Sequence, residues 1–139
     1  MGITEKYDIP YTVNNIIGFP EETRELIFDT INLNRNFTKA KNYNCAIFTP
    51  YHGTPLRNVC VERGYLDKNA PVRDMLYGAD YHYDTISMEE LKGIQRCFSL
   101  YIRLPRDRYN EIEKAEHFDT DGNAAFERLA AEYTKKYFL

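Results

Sequence analysis

The stretch that most constrains this chain runs from Tyr11 to Arg24 and reads YTVNNIIGFPEETR. The β-branched residues before Gly18 predict a short buried strand over residues 12–17. Gly18 permits a sharp turn and a close approach to a ligand, and Pro20 suits the first turn of a helix. Strand, tight turn and helix form the joint at which open α/β sheets and barrels place their ligand sites.

A second block of the same kind follows after one helix. The apolar periodicity predicts an amphipathic helix over residues 21–36 and a second buried strand over residues 45–49. Thr54 is a good N-cap and Pro55 a good first helical residue, so we expect a helix from there that closes at Gly64. Strand, helix, strand and helix in this order predict a βαβ unit with two parallel strands.

The rest of the chain predicts one long connection followed by helices. Residues 65–86 have no regular pattern, which is typical of a lid or binding loop and equally of a disordered segment. Ser87 begins a capping box, and a helix runs from it towards Pro105. Its predicted buried face consists of Leu91, Ile94, Phe98, Tyr101 and Ile102. A weaker helix over residues 107–117 and a final helix over residues 123–138 complete the chain.

Two of these blocks resemble motifs of radical S-adenosylmethionine (radical SAM) enzymes. Asn14-x-Ile16-x-Gly18-x-x-Glu21 is similar to the family's G-x-I-x-G-x-x-E motif, with Asn14 in place of its first glycine. Residues 48–56, FTPYHGTPL, resemble the family's P-Y-x-G-T-P-L block at the exit of the sixth barrel strand. The most similar subgroup carries a cobalamin-binding domain in addition.

The resemblance implies a fold and a position within it. In the family the first motif lies on the fifth strand of a (β/α) barrel. We therefore expect an α/β chain that forms a partial (β/α) barrel, with two parallel strands followed by a C-terminal helical region. Residues 1–64 would be the last strands and helices of the barrel, residues 65–86 a long loop or lid, and residues 87–139 the helical region.

The resemblance also implies part of a cofactor site. In the family the apolar residue of the first motif packs against adenine. The residues that the resemblance assigns to cofactor binding are Asn14, Ile16, Gly18, Phe48, Thr49, Pro50 and Tyr51. The parent enzyme would cleave S-adenosylmethionine reductively to an adenosyl radical, with a 4Fe–4S cluster and, in the similar subgroup, cobalamin.

The family's cluster motif, C-x-x-x-C-x-x-C, is absent from this chain. Cys45, Cys60 and Cys97 are separated by 15 and 37 residues, which is not a metal-ligand spacing. The chain therefore resembles the C-terminal third of such an enzyme. We expect no catalytic residue and no metal site in it, weak or absent binding of S-adenosylmethionine, and cluster and cobalamin in the parent enzyme alone.

Composition and chain organisation limit the partners. The chain has 139 residues, a net charge of −3 and no apolar run near a membrane-spanning length, so we expect one domain that binds neither nucleic acid nor membrane. Three cysteines without a pairing pattern favour the cytoplasm. Two barrel strands alone would leave open sheet edges and turn Val13, Ile17, Ala46 or Phe48 towards a missing core. We therefore expect the rest of the parent enzyme as partner and, for the isolated chain, a twofold homodimer.

Two other hypotheses stay open at this point. The chain could be a non-catalytic α/β interaction domain that kept the barrel scaffold and lost the chemistry. It could also be an unrelated small α/β protein whose two motifs match by chance. A resemblance in fold does not decide between these functions.

Overall fold

The computed structural model describes residues 2–72 and 82–138 of the protein. Its strands β1 (Thr12–Ile17) and β2 (Asn42–Ile47) pair in parallel. The helices of the described residues are α1 (Gly2–Lys6), α2 (Arg24–Asn34), α3 (Pro55–Glu62), α4 (Met88–Arg103), α5 (Tyr109–Ala115) and α6 (Thr120–Tyr137), with a 3-10 turn at Arg106–Arg108. The mixed α/β class and the parallel strand pair predicted from the sequence are confirmed.

β1 has the predicted bounds, whereas β2 spans Asn42–Ile47 instead of residues 45–49. The polar residues at the start of β2 pair with equally polar residues of β1, with Asn44 opposite Asn14. Cross-strand amide bonding therefore extends the ladder into a stretch that hydrophobicity alone does not mark as a strand.

α2 begins at Arg24 and not at residue 21, as the sequence predicted. Glu21 has a φ of 68°, a left-handed conformation that a right-handed helix does not accommodate. The hydroxyl of Thr23 caps the helix instead and accepts a hydrogen bond from the Leu26 amide at 3.4 Å. Pro20 therefore lies in the turn before the helix.

The strand pair turns one face towards the helices. Ile17 of β1 is fully buried, and Asn15 exchanges amide hydrogen bonds of 3.2 and 2.7 Å with Asn34 of α2. On β2, Tyr43 and Ile47 are buried, and α4 packs against this strand and against α2. The main core therefore lies between the strand pair and these two helices.

The expectation that Val13 and Ile17 face an incomplete core is wrong. Both residues belong to the helix-facing side, where Ile17 is buried and Val13 packs against the core. Because strand side chains alternate between the two faces, Ile16 and Ala46 occupy the opposite, open face. Phe48 lies beyond the end of β2 and is buried.

α4 is the central helix, and its predicted start and buried face are confirmed. The Ser87 hydroxyl accepts a hydrogen bond from the Glu90 amide at 3.1 Å. The five residues predicted to be buried are buried: Leu91, Ile94, Phe98, Tyr101 and Ile102. A Cβ added at Gly93 would lie 2.8 Å from the Cβ of Glu116, so glycine allows the close approach of the chain after α5.

The C-terminal region consists of α5 and α6, which pack against each other and against α4. α6 begins at Thr120 and not at residue 123, because the Asp119 side chain accepts a hydrogen bond from the Gly122 amide at 2.7 Å. Residues 120–122, which the sequence prediction left outside the final helix, are therefore part of its first turn. Leu129 of α6 is fully buried.

The ends of the predicted loop over residues 65–86 pack against the core. Leu66, Tyr83 and Ile86 are buried, and the rings of Tyr65 and Tyr83 meet edge to face with centroids 5.0 Å apart. Residues 73–81, on which the lid and the disorder hypotheses both depend, lie outside the described residues.

Candidate functional site

One face of the strand pair is exposed to solvent. It carries Asn14 and Ile16 from β1 and, opposite them in register, Asn44 and Ala46 from β2. Ile16 is 52% exposed, although it lies within a strand. The Asn44 amide donates a hydrogen bond of 2.9 Å to the amide oxygen of Asn14. The structure thus brings the predicted binding residues Asn14 and Ile16 together with two residues that the sequence analysis missed.

The outer edge of β1 is open. The Phe48 amide donates a hydrogen bond of 2.8 Å to the Ile17 carbonyl, so the backbone groups of Ile17 point towards β2. Because backbone groups alternate in direction along a strand, the N–H and C=O groups of Thr12, Asn14 and Ile16 point away from β2. Within the part of the chain that the structure describes, these outward groups make no hydrogen bond. They form a short row of backbone donors and acceptors of the kind that pairs with a further strand.

The outer edge of β2 is covered by α4. The Gln95 side-chain amide donates to the Cys45 carbonyl at 3.0 Å, and the Ser99 hydroxyl donates to the Tyr43 carbonyl at 3.0 Å. Both carbonyls point away from β1, and both donors lie one turn apart on the same helix. The two sheet edges therefore differ, since α4 blocks extension of the sheet beside β2.

The carboxyl ends of the two strands meet at one place. Gly18 follows β1 with a φ of 81°, which glycine adopts without steric cost. The ring of the next residue, Phe19, contacts the ring of Phe48 after β2, with centroids 5.1 Å apart. Gly18 and Phe48, predicted from separate motifs, thus belong to one cluster at the strand ends.

A carboxylate fills the backbone turn after β1. One oxygen of Glu22, Oε2, accepts hydrogen bonds from the Gly18 amide at 2.5 Å and the Phe19 amide at 3.2 Å. Two successive backbone amides that converge on one oxygen form an anion-binding nest, which Glu22 occupies from within the chain. The sequence analysis missed this role. A carboxylate four residues after a turn glycine is the signal that points to it.

The second predicted group, Thr49, Pro50 and Tyr51, is mostly inaccessible. Thr49 and Pro50 are buried, and the Pro50 carbonyl accepts a hydrogen bond of 2.9 Å from the guanidinium of Arg57. Arg57 is itself buried and also binds the carbonyls of residues 68 and 70. Tyr51 is 47% exposed, so its side chain is the member of this group that can contact a ligand.

The cysteines do not converge. Burial, and to a lesser degree the charge of Glu22, raises the pKa of the Cys45 thiol to about 12, and burial raises that of Cys97 to about 12. Such thiols stay protonated at neutral pH and are poor metal ligands. Among residues 2–72 and 82–138, no group of three or more His, Cys, Asp or Glu side chains could hold a metal ion. The described residues therefore do not fit an iron–sulfur cluster.

Comparison of the chain with protein-family models, with curated proteins and with solved structures found no match. The resemblance to radical SAM enzymes therefore depends on the two sequence motifs alone. In the described part of the chain, none of the helices combines the length and apolar character needed to cross a membrane.

The open face combines apolar surface with uncharged polar groups. Ile16 and Ala46 present adjacent apolar surface, against which a planar base can pack, and Tyr51 offers an exposed ring beyond the end of β2. Asn14 and Asn44 bind each other, and the strand residues of the open face, which also include Thr12 and Asn42, carry no charge that would bind a carboxylate or an amine. The face therefore offers an apolar surface to a planar ligand and no charged partner to the rest of it.

Proposed function

We propose that the chain is the C-terminal part of a radical SAM-type (β/α) barrel and supplies part of its adenosine-binding wall. The observation that carries this proposal is the open face of the strand pair, on which Ile16 of the G-x-I-x-G-x-x-E-like motif is exposed beside Ala46. Parallel sheets are normally covered on both faces. An uncovered face that carries the motif residues is thus expected of a wall that meets a ligand and further parts of a barrel.

The open edge of β1 supports the same proposal. In a complete barrel every strand pairs on both sides. The outward backbone groups of Thr12, Asn14 and Ile16 would pair with the preceding strand of the parent enzyme, which is the proposed partner. Without that partner, we expect a second copy of the chain to occupy the edge in a twofold dimer.

Each residue of the proposed wall has a limited role. Ile16 and Ala46 would pack against adenine, Gly18 would let the backbone approach it, and Tyr51 would contact its rim. S-adenosylmethionine bound at a cluster supplies reductive radical chemistry in this family, and we assign the cluster and cobalamin to the parent enzyme. A cytoplasmic location belongs to the proposal and is supported by the three free thiols.

A second candidate function is a non-catalytic interaction domain. The same open edge of β1 favours it, because an exposed strand edge binds an extended peptide as readily as a barrel strand. The two functions differ in what the open face binds. An interaction domain needs the edge of β1 and has no requirement for adenosine at Ile16.

Adenosine binding tests the proposal directly. We expect S-adenosylmethionine and 5′-deoxyadenosine to bind with about millimolar affinity, roughly −4 kcal/mol, because the adenine wall is present without the groups that hold the amino-acid end. In ¹H–¹⁵N NMR titrations, the shifts should be confined to the amides around Ile16, Gly18, Ala46 and Tyr51. Ile16→Ser should abolish them.

Leu33→Ser is the matched control, because Leu33 is a similarly exposed aliphatic residue, 58% exposed, on α2. Titration of Leu33→Ser with the same ligands should produce the same chemical-shift changes as titration of the unaltered chain. Shifts scattered over the surface, or an unchanged titration of Ile16→Ser, would refute the adenosine wall. Low-micromolar binding of S-adenosylmethionine would instead show that the amino-acid end also has a partner in this chain.

The genomic sequence upstream of the Met1 codon separately tests whether the chain is the C-terminal part of a longer radical SAM-type enzyme. We expect an open reading frame that continues upstream and encodes C-x-x-x-C-x-x-C. An in-frame stop codon immediately upstream, with no such motif nearby, would leave the interaction-domain hypothesis as the better one.

A further inference from the structure

A cavity lies between α2, α4 and α5 and shares no residue with the strand face. Its volume is about 270 Å³. It is lined by Arg24, Glu25 and Phe28 of α2, Tyr101 of α4, and Tyr109 and Glu113 of α5. The combination of aromatic rings with charged side chains limits what the cavity can bind.

Three aromatic rings form its apolar lining. The ring centroid of Tyr101 lies 4.9 Å from that of Phe28 and 4.9 Å from that of Tyr109, and the remaining centroids are 6.0 Å apart. All three pairs are close to perpendicular, at 69°, 86° and 66°. Tyr101 is buried and closes the floor, whereas Phe28 and Tyr109 are partly exposed. Rings in such an arrangement can offer a cation more than one π surface.

The charges around the cavity leave a negative surplus. The guanidinium of Arg24 lies 2.8 Å from a carboxylate oxygen of Glu116 and 3.9 Å from one of Glu90. The hydrogen bond from Arg24 to Glu116 raises the pKa of Arg24, and the negative charge of Glu113 raises it further. Arg35 reaches the Tyr109 hydroxyl at 3.4 Å. The carboxylates of this neighbourhood are Glu25, Glu90, Glu113 and Glu116, and its guanidinium groups are Arg24 and Arg35. Within the described part of the chain, Glu25 and Glu113 form no ion pair.

The two partly exposed rings of the cavity each lie beside a guanidinium group of the chain itself. The guanidinium of Arg24 lies 5.1 Å from the ring centroid of Phe28, while its two-point contact with Glu116 keeps it in place. The guanidinium of Arg35 lies 6.0 Å from the ring centroid of Tyr109, and Glu113 on the same rim forms no ion pair with any described residue. An anion would be repelled there.

We propose that this cavity binds a small organic cation of the trimethylammonium class. The aromatic rings would contact the methyl groups, and the carboxylates of Glu25 and Glu113 would balance the charge. A metal ion does not fit this environment, because rings in place of oxygen ligands cannot satisfy its coordination. The inference does not depend on the proposed adenosine wall, since the two sites share no residue.

The test compares choline with its neutral isostere, 3,3-dimethyl-1-butanol, on the intact chain. We expect choline to shift the ¹H–¹³C NMR signals of the Phe28 and Tyr109 rings with a millimolar Kd. The neutral compound should bind at least about tenfold more weakly, because it has the same shape and no charge. Raising the salt concentration should weaken choline binding as well.

Two variants and one control locate the site. Tyr109→Leu should weaken choline binding about tenfold through loss of the ring, and Glu113→Gln about threefold through loss of the charge. Glu127→Gln is the control, because Glu127 is an exposed carboxylate on α6 outside the cavity. It should leave the Kd unchanged. Far-UV circular dichroism establishes that each variant is folded before it is titrated.

Equal binding of choline and 3,3-dimethyl-1-butanol would overturn the proposal, as would wild-type choline affinity in Glu113→Gln and Tyr109→Leu. A second arm distinguishes the sources of the cation. The amide of N-acetyl-trimethyllysine should bind as tightly as choline if the natural ligand is a modified side chain. It should bind more weakly if the cavity admits only a free small molecule.

Discussion

The carboxylate of Glu116 binds the guanidinium of Arg24 at two points, with oxygen–nitrogen distances of 2.8 and 2.9 Å, across 92 residues of sequence. Glu116 is buried, and the Tyr101 hydroxyl donates to the same carboxylate. Burial, and then the hydrogen bond to Glu116, raises the pKa of Tyr101, so its phenol stays protonated. One side chain thus joins the start of α2, the middle of the core and the end of α5.

Replacing Glu116 by Gln should destabilise the protein by about 2–4 kcal/mol, because it leaves Arg24 partly buried without its charged partner. Urea unfolding followed by circular dichroism measures the loss. Glu113→Gln is the control. Glu113 is an exposed carboxylate in the same neighbourhood, and its replacement should change the free energy of unfolding by less than about 0.5 kcal/mol. Equal losses in the two variants would contradict a special role for Glu116.

Gly122→Ala should destabilise the protein by about 3 kcal/mol, at the upper end of the range for overpacking. An added Cβ would lie 2.1 Å from the His117 carbonyl oxygen, so the start of α6 must shift. Gly53→Ala provides the comparison, because a Cβ added at Gly53 meets open space. Its loss of stability, about 1–2 kcal/mol, comes only from the left-handed backbone conformation, with a φ of 80°. Thermal unfolding should rank the two variants in that order, and the reverse order would show that α6 can adjust.

Stability should fall as the pH rises above about 9. Burial raises the pKa of Cys45 and of Cys97 from an ordinary 9.0 to about 12 in the folded protein. As the pH rises, the thiols of the unfolded chain lose their protons before those of the folded protein. The contribution of each thiol to the free energy of unfolding is therefore complete below pH 9. It is lost as the pH rises towards 12, by at most about 1.4 kcal/mol per pH unit.

The matched experiment on the thiols uses the double variant Cys45→Ala, Cys97→Ala. It should be less stable at pH 7, because small cavities form, yet its stability should depend less on pH between about 9 and 11. Urea unfolding at a series of pH values gives both quantities. An identical slope in the two proteins would assign the alkaline loss to other groups.

The isolated chain should assemble no iron–sulfur cluster and produce no 5′-deoxyadenosine. Cys60 and Cys97 are fully buried, and Cys45 lies on the helix-facing side of β2. Anaerobic reconstitution with iron and sulfide, followed by absorption spectroscopy and product analysis, is the measurement. A variant with all three cysteines replaced by alanine defines the background. An iron–sulfur absorbance above that background would show that the thiols converge in solution.

The chain should dimerise through the outer edge of β1, and light scattering at micromolar concentration should detect the dimer. Asn14→Pro should make it monomeric and leave it folded, because the amide of Asn14 points away from β2 and is not part of the strand ladder. Asn15→Pro, one residue along, should unfold the strand pair instead. A monomeric unaltered chain would contradict self-association at this edge.

Local sequence was sufficient wherever the cause of a structure lies within a few residues. The caps Thr54 and Ser87, the buried face of α4 and the bounds of β1 were all predicted correctly. The start of α2 was not, because the left-handed conformation of Glu21 accompanies the binding of Glu22 to the amides of Gly18 and Phe19. Helix propensity and dipole arguments place no such turn there.

By itself, then, the sequence determined two parallel strands with a helix between them and the order of the later helices. Tertiary structure alone decided that Ile16 and Ala46 lie on an open face, that α4 covers one sheet edge, and that Arg24 meets Glu116. The physical reason is the range of the interactions. Hydrophobic periodicity and capping act over one or two turns, whereas strand facing, edge covering and ion pairing depend on residues dozens of positions apart.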